Sequence, residues 1–375
     1  MRVKLPEICN IQYGYAFDSA CFSEDESFLP LVRIRDVVRG YSETYYCGDY
    51  SDEYIVREGD LLIGMDGEFN IARWRGGNAL LNQRVCRVTA NAGTDEEYLR
   101  FALMKALKTI EDKTAFVTVK HLSAKELNKL MLDVPPFEDQ RIIANSLSAI
   151  ERIIETRQLE LRKLDDLIKA RFVEMFGDPA TNPFGWIKAG ITTVVRGKAS
   201  NGYFAKREEY LEEGNVAILG VTHVVNRMYS QVEGLPRTNA SELDVRKYRV
   251  KYGDMLFCRS SLVAEGIGKA SIVPENTPDN TLFECHVIRL PLNLAICVPE
   301  FMQVLSTTGY FRNQIISQSK TATMTTIGQD GIMKTEIILP PVERQKEFYS
   351  FVKQVDKSKV VEDKPFWKDD SRLVA

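Results

Sequence analysis

Between Glu138 and Phe176 the chain has neither proline nor glycine, and apolar side chains return at spacings that alternate between four and three. The positions Ile143, Leu147, Ile150, Ile154, Leu161, Leu164, Ile168 and Met175 form one seam, interrupted by Arg157 and Arg171. This pattern predicts a coiled-coil type helix about 58 Å long at ~1.5 Å per residue, ended by Gly177-Asp178-Pro179. A helix of that length has more seam than a small globule can bury. The pattern restarts after Pro341 with Phe348, Val352 and Val355, but Lys359 replaces the next apolar residue and Pro365 ends helical character. The second helix is therefore expected at about half the length of the first. On this reading Leu161, Leu164, Ile168 and Met175 lack an intramolecular partner.

The remaining pattern is that of short strands. Leu31–Val38, Asp60–Ile63 and Gln83–Val88 are rich in Val, Ile and Leu and bounded by Gly and Asn. Asp95–Lys108 carries Leu99, Leu103 and Leu107 at helical spacing. A β-branched stretch from Ala115 to Lys120 precedes Ser123-Ala-Lys-Glu126, a capping-box signature.

Four islands recur in the same order. Tyr54-Ile-Val-Arg-Glu-Gly59-Asp60-Leu-Leu-Ile returns as Tyr248-Arg-Val-Lys-Tyr-Gly253-Asp254-Met-Leu-Phe, and Pro135-Pro136-Phe-Glu138-Asp-Gln140 as Pro340-Pro341-Val-Glu343-Arg-Gln345. Leu31–Val37 resembles Ile218–Val224, and Gly14-Tyr15 matches Gly202-Tyr203. Offsets that drift only from 187 (Leu31 to Ile218) to 205 (Pro135 to Pro340) indicate a duplicated unit with loop insertions. The fold class expected is α+β: two pseudo-repeated β-rich domains separated by a long helix that pairs with a shorter C-terminal one. The boundaries read as 1–136, a spacer helix 137–178, 179–340, a distal helix 341–361 and a polar tail 362–375 that includes Phe366-Trp367.

Composition narrows the chemistry. At 375 residues with 44% hydrophobic and 27% charged positions, the chain is a globular protein of more than one domain. No apolar run approaches the ~20 residues that span a bilayer, and the first residues lack the apolar core of a signal peptide, so a cytoplasmic location is expected. Seven scattered cysteines without a Cys-x-x-Cys pair, and three separated histidines, predict neither a disulfide framework nor a metal site. The net charge of −3 argues against nucleic acid, but its distribution argues the other way. Phe69–Val88, Pro179–Arg207 and Gln303–Gln329 contain no acid. Such loops suit phosphate, while Arg reads guanine and Asn or Gln reads adenine.

The order of β-rich domain, Pro-Pro-x-Glu-x-Gln, heptad helix, Met175-Phe176-Gly177-Asp178-Pro179 with Asn182-Pro183-Phe184-Gly185-Trp186, and second β-rich domain with its own Pro-Pro-x-Glu-x-Gln resembles the DNA specificity (S) subunit of type I restriction-modification enzymes, over nearly the whole chain to about Lys359. The resemblance implies two target-recognition domains, each reading half of an interrupted DNA sequence. It implies helices that hold the domains apart and dock two methyltransferase subunits, with restriction subunits joined indirectly. It also implies no catalytic residues, metal or cofactor, and no membrane.

The DNA-contact candidates in the first domain are Tyr15, Arg33, Arg35, Asn70, Arg73, Arg75, Asn82, Gln83 and Arg84, with Arg73 and Arg75 favoured because they flank Trp74 in a Gly-rich loop. In the second they are Lys198, Asn201, Tyr203, Arg259, Lys320, Thr321, Thr323 and Thr325. A bland surface or packing role competes at each. Two enzyme readings compete as well. Asn182-Pro183-Phe184 is similar to the base-flipping loop of amino-methyltransferases, but no glycine-rich cofactor loop accompanies it. Asp66 and Glu68 could serve a nuclease metal, but an Asp-Gly turn explains them more simply. A related restriction system's specificity subunit is the third alternative.

Overall fold

The computed structural model describes residues 1–67, 69–113 and 121–359. The stretch Ala115–Lys120, Glu68 and the tail 362–375 with Phe366 and Trp367 lie outside them. The structure has the expected α+β class, and it divides into two compact units, Met1–Gln158 and one that begins at Leu159. No helix among the described residues is long and apolar enough to cross a membrane.

In the first unit a four-stranded antiparallel sheet runs in the order Cys9–Tyr13, Val85–Ala90, Leu61–Gly64, Ile71–Arg73. A second sheet places Leu29–Val32 parallel to Ala79–Leu81, with Leu31 opposite Leu80. The second unit repeats both arrangements. Its four-stranded order is Ser200–Asn201, Val287–Pro291, Asp254–Cys258, Ala270–Ile272, and its parallel pair, Val216–Leu219 with Thr281–Phe283, sets Ile218 opposite Leu282. Each unit also pairs its first strand antiparallel with its last, Arg2–Lys4 with Met131–Asp133 and Ile187–Gly190 with Glu336–Leu339.

The recurring islands have identifiable structural work. Gly59 and Gly253 take φ of +93° and +85°, a left-handed turn that L side chains resist. The following carboxylates close it, Asp60 Oδ2 accepting from Arg57 N at 2.9 Å and Asp254 Oδ2 from Lys251 N at 3.0 Å. The glutamine of Pro-Pro-x-Glu-x-Gln is buried in both copies. Gln140 Oε1 accepts from Asp95 N at 2.9 Å while its Nε2 donates to Pro135 O at 3.0 Å. Gln345 does the same with Val298 N (2.9 Å) and Pro340 O (2.8 Å). Each amide ties the start of the following helix to the start of an earlier one.

One local expectation changes. Leu31–Val38 is not one strand: the strand stops at Val32 and a helix runs Ile34–Arg39. The switch is made by Asp36, whose Oδ2 accepts from Arg33 N at 2.9 Å. In the second copy His223 Nδ1 accepts from Gly220 N at 3.0 Å before the helix Val221–Val224.

The long helix spans Phe137–Phe176. Gly177 (φ +74°) leaves it, and the Trp186 indole N–H donates to Phe176 O at 2.9 Å. The Asn182 amide is fully engaged with the Trp186 backbone, donating to its O at 2.8 Å and accepting from its N at 2.9 Å. Asn182-Pro183-Phe184 thus belongs to a helix-exit cap.

The seam is occupied at the end opposite to expectation. Ile168, Phe172, Met175 and Phe176 are buried in one cluster with Phe348, Val352 and Val355 of the helix Val342–Lys359. Leu164 packs partly against it, and Leu161 is half-buried. Phe172 and Phe176 each lie 5.6 Å from the Phe348 ring centroid, and Lys359 Nζ reaches Asp165 Oδ1 at 2.7 Å. The reason is direction. Two helices that run antiparallel join the beginning of the second to the end of the first, so the short helix covers the distal half. Ile143, Leu147, Ile150 and Ile154, in the first unit, are the exposed seam positions, 36% to 52% accessible.

Candidate nucleic-acid interface

Each unit carries one tip built from the same backbone bonds. In the first, the turn Asn82–Arg84 joins two strands and is closed by Val85 N donating to Asn82 O at 2.8 Å. Gly14-Tyr15 lies against it, Tyr15 N donating to Leu81 O at 2.9 Å. A Cβ on Gly14 would stand 2.1 Å from Asn82 O, so the approach requires glycine. Met65 N then donates to Arg84 O (3.0 Å) and Leu122 N to Met65 O (2.7 Å). In the second unit the counterparts are Tyr203 N to Phe283 O (2.7 Å), Val287 N to Glu284 O (3.0 Å), Arg259 N to His286 O (2.9 Å) and Ile327 N to Arg259 O (3.0 Å). Gly202 is as tight against Glu284 O, at 2.1 Å for its would-be Cβ.

The side chains on these two scaffolds differ. The first tip brings Tyr15, Asn82, Gln83 and Arg84 together with Asp66, weighed in the sequence only as a nuclease metal ligand, and with His121, which sequence reasoning passed over. Arg84 Nε lies 3.4 Å from Asp66 Oδ2 and its Nη1 lies 3.4 Å from His121 Nδ1. His121 Nδ1 also pairs with Asp66 Oδ1. All of this is at the surface, and the Tyr15 ring is half exposed, 5.2 Å from both Phe17 and Tyr54. The second tip brings Tyr203 and Arg259 to Glu284, Cys285 and His286, the last three again unpredicted. Arg259 Nη1 donates to Cys285 O at 3.3 Å. Register with Asn82–Arg84 is the signal that would have found them. Burial raises the Tyr203 phenol above its usual range, and its ring packs 5.7 Å from Tyr248.

A family model described as "Type I restriction modification DNA specificity domain" matches residues 1–164. The chain is similar to the type I restriction enzyme EcoBI specificity subunit of Escherichia coli, 25% identical over 95% of this chain and 79% of that protein. The similarity is thus to type I restriction specificity subunits. A second relative, the EcoKI specificity subunit of E. coli K12, is 22% identical over 66% of this chain and 55% of its own length. The type I S subunit crystal structure from M. genitalium shares the fold, with a TM-score of 0.50 at 13% identity, covering 96% of this chain and 90% of that one.

Within this fold the other predicted residues separate into two groups. Arg33 and Arg35 are exposed at the start of the helix Ile34–Arg39, Arg35 lying 3.6 Å from Asp36. Lys198, Lys320, Thr321 and Thr323 are exposed, and Asn201 is half-buried in its strand. The ribbon of Ser260–Ser261, Thr325–Thr326 and Lys320–Thr321, which starts one residue after Arg259, pairs Thr325 with Ser261 and Thr321, and Thr326 with Ser260 and Lys320. Thr325 itself is buried, its hydroxyl 3.0 Å from that of Thr321. Asn70 is half-buried, its carbonyl accepting from Gly64 N at 2.9 Å.

Arg73 and Arg75, the favoured pair, are engaged within the protein. Arg73 reaches Glu97 at 2.5 Å and Glu96 at 3.2 Å and donates to Gly59 O at 2.8 Å. Desolvation works against its charge, but Glu97 and Glu96 outweigh that and raise its pKa. Arg75 donates to Val38 O at 2.9 Å, and Trp74 between them is a core residue. Among the described residues no group of three or more His, Cys, Asp or Glu gathers as metal ligands would.

Proposed function

We propose that this chain is the non-catalytic, sequence-reading and scaffolding subunit of a type I restriction-modification system. Residues 1–136 and 179–340 act as two target-recognition domains, each contacting one half of a bipartite double-stranded DNA target. The spacer 137–178 and the shortened distal helix 341–361 dock two methyltransferase subunits, through which restriction subunits join.

The observation that supports this best is the pair of homologous tips with different side chains. A common backbone that presents Arg84, Asp66 and His121 in one copy and His286, Ser260 and Thr326 in the other suits two readers of unlike sequence. Arg84 has the disposition such work needs. Asp66 holds its Nε edge, and Nη2 has no partner among the described residues, so the far edge of the fork can meet guanine O6 and N7. Tyr15 and Tyr203, Arg33 and Arg35, and Lys198 and Lys320 add stacking and phosphate contacts.

The test is co-expression with a type I methyltransferase subunit and mapping of adenine methylation. An interrupted motif that disappears when this chain is omitted supports the reading. Seven residues inserted in the spacer helix add about 10 Å, so the gap should widen by about three base pairs with both half-sites kept. Failure of the chain to associate with the methyltransferase, or methylation that does not depend on it, would overturn the proposal.

A further inference from the structure

We propose that Cys21 and Cys47 form a reversible thiol–disulfide pair, a modification site in the first unit. Strands Phe22–Ser23 and Tyr45–Tyr46 pair antiparallel, Phe22 opposite Tyr46. One step further this register sets Cys21 opposite Cys47, and Cys47 N donates to Cys21 O at 3.0 Å. Directly opposed residues share a face with Cβ atoms about 4.5–5.5 Å apart. A disulfide needs about 3.5–4.5 Å between them, within reach of two-residue strands moving slightly together.

Accessibility separates this pair from other cysteines. Cys47 is exposed and Cys21 half-buried, whereas Cys9, Cys86 and Cys297 are buried with thiols pushed up to about 12. Desolvation first, then Cys47 and Asp18, also raise the Cys21 thiol, with the Tyr46 hydroxyl opposing them. The exposed partner is therefore the point of attack and Cys21 the resolving thiol.

The oxidant is a small-molecule disulfide of the glutathione class. The Cys47 thiolate attacks one of its sulfurs and expels the first thiolate. Cys21, losing its proton to solvent, then attacks the Cys47 sulfur in the mixed disulfide and expels the second. The protein pair loses two electrons and two protons, and the small disulfide becomes two thiols. The crosslink closes the segment that carries Arg33 and Arg35. In a reducing compartment a bond of this kind is transient, as redox-sensing pairs are.

The test uses the full chain, reduced and then held in glutathione disulfide without denaturant, followed by non-reducing peptide mapping. The expected result is a Cys21–Cys47 crosslink, the loss of two titratable thiols, and full reversal by dithiothreitol. Cys21→Ser should instead accumulate a stable glutathione adduct on Cys47. A lasting Cys47 adduct in the unsubstituted chain, or no reaction at either thiol, would overturn the pairing.

Discussion

Gln345→Ala is a substitution far from either tip whose cost follows from named bonds. The side chain is fully buried. Its oxygen accepts from Val298 N at 2.9 Å, and its nitrogen donates to Pro340 O at 2.8 Å and Ile296 O at 3.2 Å. Losing three hydrogen bonds at about 1 kcal/mol each, with one amide N–H left buried, removes about 3–5 kcal/mol. Val298 precedes the helix Pro299–Thr307, whose Phe301, Met302 and Leu305 are core residues, so the damage spreads from there. For a unit of this size about 2–4 °C accompanies each kcal/mol, which gives a fall of about 6–20 °C. The assay is thermal unfolding of the full chain by circular dichroism, with Lys346→Ala, an exposed neighbour on the same helix, as control. Gln345→Glu keeps the acceptor but turns an oxygen toward two carbonyls. Its folded-state pKa should rise, so its stability should be best at low pH and fall as pH climbs. A melting point for Gln345→Ala within a degree or so of the control would refute this account of the motif. Gln140→Ala should act likewise in the first unit, where Asp95 N, Pro135 O and Gly93 O are its partners.

Phe348→Ala removes a buried ring from between Phe172 and Phe176 and should cost about 3–5 kcal/mol, read by urea titration; a loss under 1 kcal/mol would mean the distal seam is loosely held. Arg84→Ala should lower methylation at one half-site by about 5- to 150-fold, from about 1–3 kcal/mol of base discrimination, without altering the preference at the other. Asp66→Asn should raise affinity for unrelated DNA while lowering discrimination, measured by anisotropy on assembled complexes; unchanged values for both would remove Asp66 as the group that orients Arg84. Burial works to raise the Glu97 carboxyl, but Arg100 and Arg73 outweigh it and hold it below its usual range. Its stabilisation is therefore present above the unfolded-state value near 4.5 and lost as pH falls through the folded one. Glu97→Gln should flatten the stability profile across that acidic window, as seen in melting points against pH.

Much of the architecture was legible because repeats and periodicity are local properties. The Gly-Asp turns, the paired prolines and the heptad seam each state their own geometry. Pairing partners in space are not local. The stretch Phe69–Val88 is free of acids along the chain, yet Arg73 meets Glu96 and Glu97, Arg87 meets Asp60, and Arg84 meets Asp66. Every one of those carboxylates lies outside the stretch. Asp66 and His121 could not be joined by spacing, since 55 residues separate them and only a bridge between their backbones sets them side by side. The free seam was assigned to the wrong end for a similar reason: heptad letters give register but not direction.

The two tips differ in charge: one turn ends on a guanidinium where the other ends on an imidazole, and one begins on an amide where the other begins on a carboxylate. Where one turn begins with Asn82 and ends with Arg84, the other begins with Glu284 and ends with His286. A guanidinium offers only donors, and a carboxylate only acceptors. On the proposed function, the two turns would favour different base edges. A reader built this way would have a front and a back on the duplex, and so a compass heading that machinery riding with it could inherit.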